Sequence, residues 1–205
     1  MTASKHSMRA ERHRGGQRVT IEPGEHYATR GPEVISTLLG SCVAACLYDP
    51  IGSVIGMNHF MLSHTRYSRT LPIHASEAGR YGIFAMEFLL NAMVAKGAER
   101  RRLRAKVFGG GNVLNTESDG SNFFCVGSVN CSFIREFLVN ESIPIDAEDL
   151  GGDFGRVIHF SNGSYSVHRR KVGTSTSLKV GHRDREIWQR AIEQQEKAVT
   201  SIDLW

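Results

Sequence analysis

The stretch ISTLLGSCVAACLYDPIGSVIGMNHFML, residues 35–62, carries the fold and the chemistry of this chain. Two apolar runs, Cys42 to Tyr48 and Val54 to Leu62, flank Asp49-Pro50-Ile51-Gly52, a cluster of turn formers. Both runs read as strands, joined as a β-hairpin. With Pro50-Ile51 as a two-residue loop, Asp49 faces Gly52 and, counting back along the strands, Cys42 faces His59 on one side of the sheet. Pro50 followed by Ile51 and Gly52 equally suits a three-residue loop closed by a glycine bulge. That slip of one residue sends His59 to the opposite face, unless a second bulge near Gly40-Ser41 restores the pairing.

A thiol and an imidazole on one face make a nucleophile and its base. Only the thiolate attacks well, and the imidazole takes its proton and returns it to a leaving amine, so the chemistry points to an acyl carbon. Cys42 follows Gly40-Ser41, where the chain turns sharply, so its own amide and a neighbouring one are placed to meet an oxyanion. Ahead of the turn, Ser36 or Thr37 offers a hydroxyl to the far ring nitrogen of His59. The plainer alternative is a buried core thiol and a satisfied strand histidine, cysteine being among the most buried residue types. Cys46, four residues along the same strand, shares the face of Cys42 and is the second candidate nucleophile.

Ser36-Thr37-Leu38-Leu39-Gly40-Ser41-Cys42-Val43-Ala44, then Tyr48-Asp49-Pro50, then Asn58-His59-Phe60-Met61-Leu62, closely resemble the CheD family of bacterial chemoreceptor glutamine deamidases. The resemblance continues through Arg80-Tyr81-Gly82, Ala85-Met86, Gly97-Ala98, Ala105 to Gly110, Asp149 to Gly152 and Gly155-Arg156, covering roughly residues 20 to 172. It implies that Cys42 is the nucleophile, His59 the general base and acid, and Ser36 the third, hydroxyl-bearing residue, a position where the family usually has threonine. Thr37 comes one residue later and by strand alternation points to the other face, which leaves it, with Gly40 and Ser41, in a supporting role. The implied reaction is deamidation of receptor glutamines to glutamate through a thioester, with neither metal nor organic cofactor. The implied partners are methyl-accepting chemotaxis receptors as substrate and a CheC-type phosphatase. The implied fold is a layered α/β sandwich with a mixed sheet, similar to the catalytic domains of cytotoxic necrotizing factor toxins. Two rivals stand beside this reading: another acyl-transfer enzyme, such as a cysteine peptidase or transglutaminase, and a non-catalytic chemotaxis adaptor that binds a receptor or a CheC-type phosphatase.

The 205 residues, 40% hydrophobic and 22% charged, suffice for one domain with a real core. No apolar run reaches transmembrane length, and the first twenty residues hold no apolar segment that would serve as a secretory signal, so the expected compartment is the cytoplasm. A net charge of +4 raises nucleic acid as a partner, but much of the excess sits in Lys5, Arg9, Arg12, Arg14 and Arg18 against Glu11 alone. Residues 1–20 therefore read as a disordered basic tail. Cys42 and Cys46, like Cys125 and Cys131, match neither a zinc-ribbon nor a redox spacing, so four thiols and no metal are expected.

Beyond the hairpin, Glu77 to Lys96 sets Ile83, Met86, Leu89, Leu90, Met93 and Val94 at helical spacing, and Gly97 ends the helix. Arg104 to Phe108 reads as a strand, followed by Gly109-Gly110-Gly111-Asn112 without the lysine and hydroxyl of a nucleotide P-loop. By the resemblance, Phe108, Gly109 and Gly110 border the active-site cleft. A second helix over Ser128 to Asn140 is capped by Ser128, and Ile143 to Ala147 is a strand. Arg156 to Phe160 and Tyr165 to Val172 flank Asn162-Gly163 as a hairpin, with His159 and His168 as ordinary strand residues. The interleaving of strands and helices argues for an α/β sandwich with mixed pairing. Residues 21–175 form the CheD-like domain, and residues 176–205 a helical extension beyond the family's shorter form. Within that extension, Asp184 to Val199 places Ile187, Trp188, Ala191 and Ile192 on one helix face, which either packs back on the domain or docks on a receptor or another chemotaxis protein. A monomer is the default, since no sustained heptad or long apolar face is left over.

Overall fold

Alternation along the hairpin strands organises two layers at once. The computed structural model describes residues 9–13, 16–62, 77–114 and 126–202. The two runs of the opening stretch form β5 (Val43–Asp49) and β6 (Val54–Asn58), and every residue of both strands is buried. Val43, Ala45, Leu47 and Val54 lie in one apolar cluster, whereas Cys42, Ala44, Cys46, Ile55 and Met57 lie in another. A strand buried on both faces is the middle of a sandwich.

The first cluster is the helical side. There α1 (Glu77–Ala95) and α2 (Val126–Asn140) supply Met86, Leu89, Leu90, Met93, Phe133, Ile134, Phe137 and Leu138. Gly97, at φ 95°, ends α1 by turning its own amide and that of Ala98 back onto Val94 and Met93. Phe84 and Phe88 stay exposed on the outer face of α1. The helix expected to begin at a Ser128 cap starts at Val126, with Ser128 inside its first turn.

The second cluster lies between two sheets. One sheet runs β3 (His26–Thr29), β6, β5, β7 (Arg104–Gly109), β8 (Ile145–Leu150), antiparallel except where β7 meets β8. The other runs β1 (Arg9–His13), β2 (Gly16–Thr20), β4 (Val34–Leu39), β9 (Arg156–Ser161), β10 (Val167–Lys171), antiparallel except where β2 meets β4. Val19, Ile35, Leu39, Ile158 and Phe160 from the latter pack on Cys46, Tyr48, Ile55 and Met57 from the former. The architecture is therefore mixed α/β, as the element order argues, but with two mixed sheets where one was expected. The hairpin at Asn162-Gly163 joins β9 to β10, with Gly163 at φ 87°.

Two expectations are corrected here. Residues 9–13 and 16–20, read as part of a disordered tail, form an antiparallel strand pair. The reason is edge pairing: β2 extends the sheet beside β4 in parallel register, and Val19 is buried between the sheets. Lys5 and Arg14 of that segment lie outside the described residues, as does Cys125. The C-terminal helix α3 (Thr174–Ile202) begins ten residues before its apolar periodicity and packs Trp188 and Ile192 into the inter-sheet cluster.

The hairpin register is also neither of the two anticipated. Asp49 pairs with Val54, so Pro50 to Ser53 form a four-residue loop, with Ser53 at φ 53°. Asp49 builds that loop: one carboxylate oxygen accepts the Ile51 and Gly52 amides at 3.0 and 2.9 Å, the other accepts the Glu99 amide at 3.0 Å, and Arg102 pairs with it at 2.9 Å. The shift from the two-residue loop is an even number of residues, so the side chains keep their faces.

Candidate active site

The chain reaches the site through a turn held from both sides. After β4, Gly40-Ser41-Cys42 leads into β5, and Asn130 on α2 clamps the crossing by donating to the Ser41 carbonyl and accepting the Leu62 amide, each at 2.8 Å. The glycine loop after β7 lies alongside, with the Gly110 amide on the Cys42 carbonyl at 2.7 Å and the Gly111 amide on the Gly40 carbonyl at 2.8 Å. Gly109 has φ 118°, and a Cβ there would stand 2.1 Å from the Cys42 carbonyl oxygen, so the approach requires glycine. Buried Arg156 holds the same loop from behind through the carbonyls of Gly109, Asp149 and Gly151.

His59 departs from the β5–β6 ladder. The Asn58 side chain accepts the Ala45 amide at 3.1 Å, closing regular pairing at that point. The backbone of His59 pairs instead with Gly24 and Glu25, its carbonyl accepting at 2.7 Å and its amide donating at 3.0 Å, before Phe60 rejoins Val43. Its ring points between the sheets. Thr37 Oγ1 donates to the Ile21 carbonyl at 2.7 Å and stands 2.7 Å from His59 Nδ1. A hydroxyl has one proton, so toward the ring it accepts: Nδ1 carries the ring hydrogen and Nε2 the lone pair. Nε2 is buried with no hydrogen-bond partner among the described residues.

The hydroxyl that meets His59 is that of Thr37, where Ser36 was expected. Ser36 points to the outer face of its sheet, where its Oγ lies 2.7 Å from Nδ1 of His159, and Thr37 shares the inward face of Ile35 and Leu39. Cys42, too, faces inward, with Ala44 and Cys46. Cys46 is buried, its thiol pushed far up by desolvation, partly relieved by Lys106. Cys42, Cys46 and Cys131 are free thiols. Among the described residues, no group of three or more His, Cys, Asp or Glu side chains could hold a metal ion.

The site is closed. Cys42 is 0% exposed and His59 1%. Burial drives the His59 pKa down to about 3, helped by the Arg183 cation and opposed by the Ile21 carbonyl. Burial likewise pushes the Cys42 thiol well above its ordinary value, and the Asp184 carboxylate pushes it further while Arg183 opposes. A Cys42 thiolate in turn raises the phenol of Tyr81 on α1, after burial. Asp184 and Arg183 come from α3, and sequence reasoning assigned neither to the site.

A family model described as CheD chemotactic sensory transduction matches residues 61–171. A Geobacter sulfurreducens protein named "Probable chemoreceptor glutamine deamidase CheD 1" is 51% identical over 97% of this chain and 98% of its own length. The chain belongs to the CheD family. The family-model match begins just past Cys42 and His59, whereas the Geobacter alignment leaves out too few residues to omit them. A Shewanella oneidensis CheD, named "Probable chemoreceptor glutamine deamidase CheD 2", is 54% identical over 75% of this chain and 76% of its own. Among solved structures, a Bacillus licheniformis hypothetical protein, YfiH, overlaps 60% of this CheD chain and 49% of its own at 17% identity and a TM-score of 0.36. No described helix is long and apolar enough to cross a membrane.

Proposed function

We propose that this CheD chain deamidates glutamine side chains of methyl-accepting chemotaxis receptors, with Cys42 as nucleophile, His59 as base and acid, and Thr37 as the residue that orients the ring. The observation that carries the proposal is the inward face shared by Cys42 and a His59 whose Nδ1–H is committed to Thr37, leaving Nε2 as a lone pair. The names of the close relatives support the substrate. Nε2 takes the thiol proton, the thiolate attacks the carboxamide carbon, and the proton passes to the departing nitrogen as ammonia leaves. Water, deprotonated by the same nitrogen, then cleaves the thioester, giving glutamate and restoring the thiol. In the closed chain burial keeps the ring neutral, so Nε2 is free to take a proton.

The cytoplasm as compartment, the monomeric state, a CheC-type partner, the domain limits at residues 21–175 and 176–205, and the likeness to necrotizing-factor catalytic domains belong to the same proposal. Its test is mass spectrometry of a receptor cytoplasmic fragment incubated with wild type, Cys42→Ala and His59→Ala. Glutamine-to-glutamate conversion lost in both variants is the expected result. No conversion by folded wild type across several receptors would favour the adaptor, and peptide release or amine incorporation would favour another acyl transferase.

A further inference from the structure

The Asp184 carboxylate sits on the turn that leads into Cys42. Its Oδ2 accepts the Ser41 amide at 2.9 Å and the Ser41 hydroxyl at 3.1 Å, immediately before the nucleophile candidate Cys42. Asp184 is 0% exposed, on the same side of α3 as the buried Val180, Trp188 and Ile192. The seat is built for close approach. A Cβ at Gly40 would stand 2.5 Å from Val180 and 2.7 Å from Asp184 Oδ2, so only glycine at the turn lets α3 settle on it. Beside Asp184, Arg183 donates to the Leu38 carbonyl and to the other carboxylate oxygen, both at 3.1 Å, and pairs with Glu22 at 3.1 Å. A carboxylate planted on donors next to a cysteine has the shape and charge of a deamidation product.

We propose that the Ser41 amide and hydroxyl form the subsite for the substrate's acyl oxygen, and that in the resting chain α3 fills this subsite with Asp184 as an internal product mimic. The proposal rests on the deamidase reading. Donors aimed at one point stabilise the oxygen of the tetrahedral intermediate, and the same donors hold a carboxylate. With α3 seated, the thiol faces Asp184, makes no hydrogen bond to His59 and is closed to solvent. A glutamine enters only when the helix segment around Val180 to Asp184 lifts, and apparent turnover is scaled by the open fraction.

The test uses the full chain as wild type, Asp184→Ala and Trp188→Ala, each checked for folding by its thermal melt. Iodoacetamide labelling of Cys42, mapped by peptide mass spectrometry, is followed alongside ammonia release from a receptor fragment. Trp188→Ala loosens α3 away from the seat and leaves the Asp184 charge in place, so faster labelling there reports opening and not thiol acidity. Asp184→Ala is expected to label Cys42 at least about tenfold faster than wild type, the factor for one charge-assisted hydrogen bond, and Trp188→Ala at least about a hundredfold faster through the lost packing of α3, with ammonia release rising in both. Unchanged labelling in folded Trp188→Ala overturns the proposal, and that variant decides if Asp184→Ala does not fold. Lower turnover in Asp184→Ala with unchanged labelling also overturns it, by making Asp184 a positioning residue. Faster labelling with no ammonia from any form, wild type included, upholds the cap and overturns the deamidase reading instead.

Discussion

One proton on the Thr37 hydroxyl sets the protonation pattern of the site. Because it is spent on the Ile21 carbonyl, His59 keeps hydrogen on Nδ1 and offers Nε2. Thr37→Val removes the acceptor and frees the ring to adopt the other tautomer, and its kcat is expected to fall about tenfold or more, with KM little changed. Ser36→Ala, which loses a contact to His159 on the face away from His59, should leave steady-state deamidation kinetics within about twofold. The histidine also leaves a mark on stability. Its pKa drops from 6.5 unfolded to about 3 folded, so between those values the unfolded chain binds a proton that the folded chain does not. Its contribution is full above the unfolded pKa and is lost as pH falls toward the folded one, at about 1.4 kcal/mol per pH unit. The stability of wild type relative to His59→Gln, read from urea unfolding, should therefore fall steadily as pH drops below 6.5; a difference independent of pH would contradict the shift. The inward face of Cys42 and His59 was legible because a turn signal and strand alternation set it locally. Thr37 was not, since Ile35, Leu38 and Leu39 give no clean alternation to say which hydroxyl faces inward. Asp184 had no local signal at all, lying 143 residues beyond Ser41.

Loops and edges decide the elements. Asp49 ties a four-residue loop, the Glu99 amide and Arg102 to the end of β5, and its charge survives burial because these donors outweigh the desolvation that opposes it. Asp49→Ala removes the shared acceptor of three backbone amides and Arg102, which keeps Glu99 at 2.7 Å, for an expected loss of about 3 kcal/mol in urea unfolding. A loss below about 0.5 kcal/mol, the range of ordinary surface substitutions, would mean the loop holds its register without the carboxylate. The same loop explains a partial success of the sequence reading. The apolar runs and the Asp-Pro-Ile-Gly turn were legible, but loop length was not, because a left-handed Ser53 extends the turn without a glycine to announce it. Face assignment survived because the error was even. By contrast, β1, β2 and β3 are short and polar, formed by pairing onto a sheet edge, so no hydrophobic period marks them. The first turns of α3, Thr174 to Arg183, likewise carry little apolar spacing and are ordered by contact with the Gly40 turn.

At the scale of the molecule, the two apolar clusters are unequal partners of α3. The helical cluster of α1, α2, β5 and β7 contains no residue from α3, whereas the inter-sheet cluster takes in Trp188 and Ile192. The domain can thus loosen α3 while half of its core stays intact, which is the condition for a sub-global opening below the free energy of unfolding. Native-state hydrogen exchange on wild type should place α3 amides in a less protected class than those of β5 and β7. Trp188→Ala removes a large buried ring, a change that costs about 3 kcal/mol or more, equivalent to at least about a hundredfold in an opening constant. That factor is expected in the exchange of α3 amides, with protection in α1, β5 and β7 reduced far less. Equal losses in all four elements would show that α3 and the sandwich open as one unit. Closure of the site would then be inseparable from the stability of the fold, and substrate access would require a motion other than the departure of this helix.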